Sequence, residues 1–319
     1  RRFESLTGLE HATNLADLSL YDTQISDITP LASLTGLTKL TLRDYQVSDI
    51  SPLASLTNLT ELGLQNSQIS DITPLASLTG LTKLFLHNSQ INSNGQLGGG
   101  YNKVSDISPL ASLTNLTKLT LSGSQISDVT PLGSLTSLAQ LELDNNKVSD
   151  ISPLGSLTNL TKLRLASNKV SDISPLASLT NLTELWLESN KISDITPLAS
   201  LENLAYLDLE ANQVSNVSPL APLTKLKMLD LFGNQVKDIS PLASLTNLTW
   251  LCLSGNVVGD ISPLASLTSL TELWLGHNQP DQALARAQHQ NSDVSSLTAL
   301  TNLYVGYIEN YPRSGFNFS

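Results

Sequence analysis

Leucines recur along this chain at a fixed beat. In SDISPLASLTNLTELWLESN, Ser171 to Asn190, the spacing of Leu182, Leu185, Leu187 and Asn190 is L-x-x-L-x-L-x-x-N, and nearly the same string returns every 22 residues. Leu185 and Leu187 enclose one outward position, the period of two that a strand requires. Leu198 and Leu201 are three apart, which suits a short 3₁₀ or single-turn segment. Leucine pairs two apart mark strands at Leu18, Leu40, Leu62, Leu84, Leu119, Leu141, Leu163, Leu185, Leu207, Leu229, Leu251 and Leu273, twelve in all. Between strands Asn190 turns the chain and Ile192 and Ile195 enter the core. Thr196 and Pro197 then predict a hydroxyl N-cap with proline at the first helical position, where its missing N–H costs nothing.

A constant period of roughly 20 to 29 residues with this spacing specifies a leucine-rich repeat solenoid. The fold class is therefore an α/β solenoid, with a curved parallel β-sheet on the concave face and short 3₁₀ or helical turns on the convex face. Residues 1–319 read as one such domain, because a repeat array grows lengthwise and escapes the usual size limit. A half repeat occupies 1–15, and regular repeats run over about 16–278. A glycine-rich insertion, NSNGQLGGGYN at 92–102, reads as a tolerated surface loop. A second interruption at 280–290 reads as a short helix that Asp281 would cap, followed by an irregular last repeat and tail over 291–319. There SLTALTNL sets Leu303 where Leu182 sits and so puts Gly306 at a core leucine position. Only two residues precede Phe3, so an N-terminal cap is expected to be missing or very short.

Two polar columns accompany the leucines. The turn asparagine stands at Asn146, Asn168, Asn190, Asn212, Asn234, Asn256 and Asn278, but Thr23, Tyr45, Ser67, Ser89 and Ser124 replace it earlier. An amide reaches backbone groups of two turns and a hydroxyl does not, so the first repeats should be less well laddered. An aspartate recurs at Asp27, Asp49, Asp71, Asp106, Asp128, Asp150, Asp172, Asp194, Asp238 and Asp260. Each lacks the further carboxylates of a calcium site, and capping of local backbone N–H groups is the preferred reading.

Composition narrows the function classes. The chain is 40% hydrophobic and 14% charged, and no run of 18 apolar residues could span a membrane. Its net charge of -11 argues against nucleic acid, whose binding requires Lys and Arg on phosphates, and favours a basic partner. Cys252 is the single cysteine, so no intrachain disulfide forms. His11, His87, His277 and His289 do not assemble with it into a nucleophilic pair, apart from a remote Cys252–His277 candidate. The N-L-T strings at Asn58, Asn115, Asn159, Asn181 and Asn247 belong to the repeat rather than to glycosylation. No enzyme, cofactor or metal is implied, and a monomer is expected.

Function is then sought where the repeat departs from itself. Glu184, Trp186, Glu188 and Ser189 head four outward columns of the concave face. All three tryptophans, Trp186, Trp250 and Trp274, fall there with Tyr206, Met228 and Phe232, and read as one exposed apolar patch. In the first seven strands the four columns hold as many acidic as basic residues. In strands eight to twelve they hold Glu184, Glu188, Asp208, Glu210, Asp230 and Glu272 with no Lys or Arg. A partner presenting Arg or Lys beside apolar groups would suit this acidic and aromatic half. A glycan or cell-wall ligand is the alternative, and a spacer or targeting arm of a larger protein is the third reading.

The string DISPLASLTNLTELxLxxNxIS resembles the 22-residue repeats of bacterial internalins over roughly Phe3 to Asn278. This resemblance implies a secreted or cell-surface bacterial protein whose concave face binds a host-cell receptor. The sequence departs from that family in lacking its helical cap at Arg1, in carrying no immunoglobulin-like sequence after Leu303, and in the glycine insertion.

Overall fold

The computed structural model describes residues 5–21, 25–43, 46–65, 67–87, 103–278 and 304–306. The insertion at 92–102, the helix expected over 280–290 and the tail lie outside these residues. The chain divides after Val170 into two compact units. In the first, β1 (Asp17–Tyr21), β2 (Lys39–Arg43), β3 (Glu61–Gln65), β4 (Lys83–Phe85), β5 (Lys118–Thr120), β6 (Gln140–Glu142) and β7 (Lys162–Arg164) pair in parallel in chain order. In the second, β8 (Glu184–Trp186), β9 (Tyr206–Asp208), β10 (Met228–Asp230), β11 (Trp250–Cys252), β12 (Glu272–Trp274) and β13 (Tyr304–Gly306) do the same. Registers follow the leucines: Leu185 faces Leu207, which faces Leu229, then Leu251 and Leu273. All of these are fully buried.

The return segments are 3₁₀ turns, five residues long at Thr196–Ser200 and Ser240–Ser244 and three at Ser218–Leu220, where Pro222 takes a serine's place. Asn58, Asn115, Asn159 and Asn247 each donate to a backbone carbonyl one repeat earlier at 2.8–2.9 Å, which gives the N-L-T string its scaffold role.

Two local expectations need correction. Thr196 does not cap its turn: the residue before it is Ile195, and no hydroxyl bonds the first turn. The Asp194 carboxylate instead accepts from the Thr196 N–H at 2.8 Å, and the same contact recurs at Asp27, Asp49, Asp71, Asp106, Asp128, Asp150, Asp172, Asp238 and Asp260. A carboxylate reaches the N–H two residues on, which the shorter hydroxyl at the turn's own first residue cannot do. The second correction concerns β13. Val305, not Gly306, lies opposite Leu273, and Gly306 lies opposite Trp274. Of Tyr304, Val305 and Gly306 only Val305 is aliphatic, and it takes the register position of the leucines.

The aspartate caps make stability depend on pH. At Asp49, Asp106, Asp150, Asp238 and Asp260 the backbone N–H and then the hydroxyl of the serine two residues on hold the carboxyl below 3.8. At Asp27, Asp71, Asp128 and Asp194 the threonine hydroxyl leads and its N–H follows. A depressed folded-state value means a contribution fully present above the unfolded value and lost as pH falls through the folded one. Denaturation midpoints should hold from pH 7 to 5 and drop below about pH 4. Asn216 caps Ser218 N–H at 3.0 Å without a charge, so Asp49→Asn with Asp71→Asn should flatten that drop; an unchanged acid limb would reject the assignment.

The asparagine ladder is present where the sequence places it. Asn234 donates to Leu209 and Leu231 carbonyls at 2.8 and 3.1 Å and accepts from the Val214 N–H at 2.9 Å; Asn212 and Asn256 repeat the pattern. Among the described residues Ser67 reaches only Gln65, at 3.4 Å, and the buried Ser124 hydroxyl finds no partner. Ser124→Asn would restore the Asn146 pattern, accepting from Val104 and donating to Leu86 and Leu121. A stability gain of about 1 kcal/mol is expected in urea unfolding, and a loss there would show that the pocket cannot take the amide.

Candidate functional site

The outward positions of the second unit are built by three-residue strands and the turn that follows each. Only the first two columns, those of Glu184 and Trp186, belong to strands. Glu188 and Ser189 stand in the turn, where Ser189, Ala211, Gly233, Gly255 and His277 all take positive φ between 51° and 69°. Parallel pairing sets Trp186, Asp208, Asp230, Cys252, Trp274 and Gly306 side by side, and Glu184, Tyr206, Met228, Trp250, Glu272 and Tyr304 beside them.

The tryptophans are not an exposed patch. Trp186, Trp250 and Trp274 retain 6%, 5% and 4% exposure, and Cys252 retains none. Trp250, Cys252 and Trp274 form one apolar cluster, against which Met228 and Phe232 pack. Trp186 lies against Tyr206 with ring centroids 4.6 Å apart at 31°. The physical reason is lateral: neighbouring strands lie about 4.8 Å apart, so large rings in adjacent positions cover one another even when each points away from the core. The reading of Cys252 as a nucleophile fails for the same reason, since the thiol is buried while His277 is exposed.

Between these two aromatic blocks lies an acidic floor. Asp208 and Asp230, on adjacent strands, are 8% and 6% exposed. One oxygen of each accepts a backbone N–H from the following turn, Glu210 N at 2.9 Å and Phe232 N at 2.8 Å. The Tyr206 hydroxyl donates to the other Asp208 oxygen at 3.3 Å. Burial first, then Asp208, Asp230 and Glu188, raise the Tyr206 phenol far above its usual range, so it stays a neutral donor. Carboxylate oxygens of Asp208, Glu210 and Asp230 come within 4.8 Å of one another. Three of these six oxygens already accept hydrogen bonds, from Glu210 N, Phe232 N and the Tyr206 hydroxyl, which leaves among the described residues fewer than the six to eight that calcium takes.

Of the residues singled out by sequence, Trp186, Tyr206, Asp208, Glu210, Met228, Asp230, Phe232, Trp250 and Trp274 are thus drawn into one surface. Glu184 and Glu188 are half-buried at its β8 edge, and Glu272 is exposed on β12. Tyr304 was missed, because the shifted register hid it. It packs edge-on against Trp274 at 5.9 Å and is 53% exposed, so it is the open aromatic of this face. By contrast several charges of the first unit are paired: Lys39 and Lys83 flank Glu61, and Lys162 meets Glu142. Arg164 closes on the buried Asp144 at 2.5 Å.

A family model of leucine-rich repeats in two copies matches successive windows from 13–55 to 246–285. An internalin (inlF) of Listeria monocytogenes superposes with a TM-score of 0.85, at 39% identity over 96% of this chain and 84% of that one. An internalin C2 (inlC2) of the same organism gives 0.56, at 40% identity over 63% and 83%. The plant peptide hormone receptor RGFR1, solved with RGF2, shares the fold alone, with a TM-score of 0.71 and 22% identity over 94% of this chain and 49% of that one. TLR13 in complex with ssRNA13 also shares the fold, at 21% identity and a TM-score of 0.60 over 84% of this chain and 44% of that one, so the fold as such does not exclude nucleic acid. No curated protein sequence matches the chain. Among the described residues no helix is long and apolar enough to cross a membrane.

Proposed function

This chain belongs to the internalin-like leucine-rich repeat proteins, and from that premise we propose that it is a non-catalytic recognition module of a secreted or surface-bound bacterial protein. Its site is the acidic trough of the second unit, which takes an Arg or Lys side chain of a protein partner. The observation that carries this reading is the adjacent pair Asp208 and Asp230, nearly buried between Trp186–Tyr206 on one side and Trp250–Cys252–Trp274 on the other. Their carboxylate oxygens lie within 4.8 Å of one another, and two full like charges held that close would repel by about 3 kcal/mol at an effective dielectric near 20. A scaffold repeat has no need of that repulsion, and an entering cation removes it. A guanidinium suits the place because it is planar, weakly hydrated and able to bond two carboxylates while lying near aromatic rings.

A host-cell receptor is the partner that the family suggests, and exclusion of nucleic acid rests on the charge of -11. Sugar stacking on the three tryptophans is disfavoured, since they are buried, and Tyr304 is the open ring this face offers for it. The test is selection of random peptides on the intact chain. Arg or Lys beside an apolar residue should be enriched on the wild type and not on Asp208→Asn/Asp230→Asn. Equal enrichment on both would reject the trough as the site.

A further inference from the structure

The repeats also depart from themselves on the opposite side of the second unit, ahead of the 3₁₀ turns. In the aspartate column Asn216 replaces the acid, and in the neighbouring column, serine in every other repeat, Lys237 and Gly259 stand instead. These three departures fall in consecutive repeats and line one open pocket of about 560 Å³, together with Ser215, Asp238 and Asp260. None is required by the scaffold. Gly259 has no positive φ, and a Cβ built there would meet nothing within 4 Å, so the glycine only opens space. Asn216 still caps its turn through Oδ1, which leaves its amide N–H groups as donors that an aspartate would lack. Among the described residues the exposed Lys237 ammonium makes no ion pair or hydrogen bond, as is also true of Lys169, Lys191 and Lys227, but of these it is the one that lines the pocket.

We infer that this pocket is a second binding site, distinct from the acidic trough, for the carboxylate of an acidic sugar. Lys237 supplies the one cation and Asn216 the neighbouring donors. Asp238 and Asp260 each accept the backbone N–H, at 2.8 Å, and the hydroxyl of Ser240 and Ser262, and their remaining lone pairs are the acceptors for sugar hydroxyls. With one cation and two carboxylates in the lining, a monoanion is opposed less than a dianion such as sulfate or phosphate, and contacts to the sugar hydroxyls must supply the rest of the binding. A monoanion rich in hydroxyls matches both halves of the lining, whereas a bare carboxylate matches only one.

The neighbouring repeats supply test variants that preserve the fold, because each restores what the other repeats already carry. Glucuronate and N-acetylneuraminate should show saturation transfer from the intact chain. Lys237→Ser should raise the dissociation constant at least about five-fold, and Asn216→Asp/Lys237→Ser/Gly259→Ser should abolish binding with the melting temperature unchanged. Lys191→Ser, elsewhere on the unit, should bind as the wild type does. Glucose, sulfate and N-acetylglutamate should each bind at least about five-fold more weakly. Tighter binding of glucuronate at the end of an immobilised oligosaccharide than of the free sugar would identify a glycan as the source, and equal binding a free metabolite. The inference is overturned if neither acid binds, if the triple variant binds undiminished, or if sulfate or N-acetylglutamate binds as well as the sugars.

Discussion

Trp250→Ala is expected to lower the unfolding free energy of the second unit by about 3–5 kcal/mol, the range for removing a large aromatic from a packed interior. The ring is 95% buried among Cys252, Trp274, Met228 and Phe232. Its removal leaves a void in a layer only one strand wide, which the flanking strands cannot close without breaking their ladder. Trp250→Phe keeps most of the contact and should cost far less, below about 1.5 kcal/mol. Urea unfolding followed by tryptophan fluorescence and circular dichroism separates the two variants. A loss under about 1 kcal/mol for the alanine variant would mean that the ring is surface after all. The result also decides how the site may be probed. Alanine scanning of the tryptophans would reduce partner binding by loosening the face that holds Asp230, even if no tryptophan touched the partner.

That distinction marks where sequence stops being legible. A 22-residue period says which residues face the core, and the fully buried Leu207, Leu229 and Leu251 needed nothing more to be found. The strand registers within each unit followed because each leucine pair dictates its own parity. The period gives direction, not depth. Whether an outward Trp186 is open or covered depends on the neighbour one strand away, and Tyr206 at 4.6 Å covers it. Asp208 and Asp230 show the same limit: both point outward by parity, yet both are buried by what stands beside them. Tyr304 failed differently: the spacing of SLTALTNL put Gly306 at the core position, whereas Val305 lies opposite Leu273 and Tyr304 opposite Glu272. The aspartate column was legible as a set of caps for local backbone N–H groups, as Asp194 shows, and only the added hydroxyl cap at Thr196 failed.

Asp208→Asn/Asp230→Asn is expected to weaken a peptide selected on the wild-type trough by at least about 30-fold, or about 2 kcal/mol, the lower end for losing a hydrogen-bonded charge pair at an interface. The change should appear mainly in the dissociation rate, and the salt dependence of binding should fall with it. Folding should move the other way. An asparagine Oδ1 still accepts from the N–H groups of Glu210 and Phe232, as Asn216 does for Ser218. The side-chain volume is nearly unchanged, and a like-charge repulsion disappears. The variant should therefore unfold at an equal or higher urea concentration than the wild type. Binding lost while stability is kept or gained is the pattern of residues retained for recognition against the interest of the fold. Binding and stability lost together would instead make the two aspartates part of the scaffold, and kept binding would move the partner's cation elsewhere. Tyr206→Phe refines the result: it removes only the donor to Asp208, and a smaller loss of about 1 kcal/mol in affinity would show that the hydroxyl orients the carboxylate the cation meets.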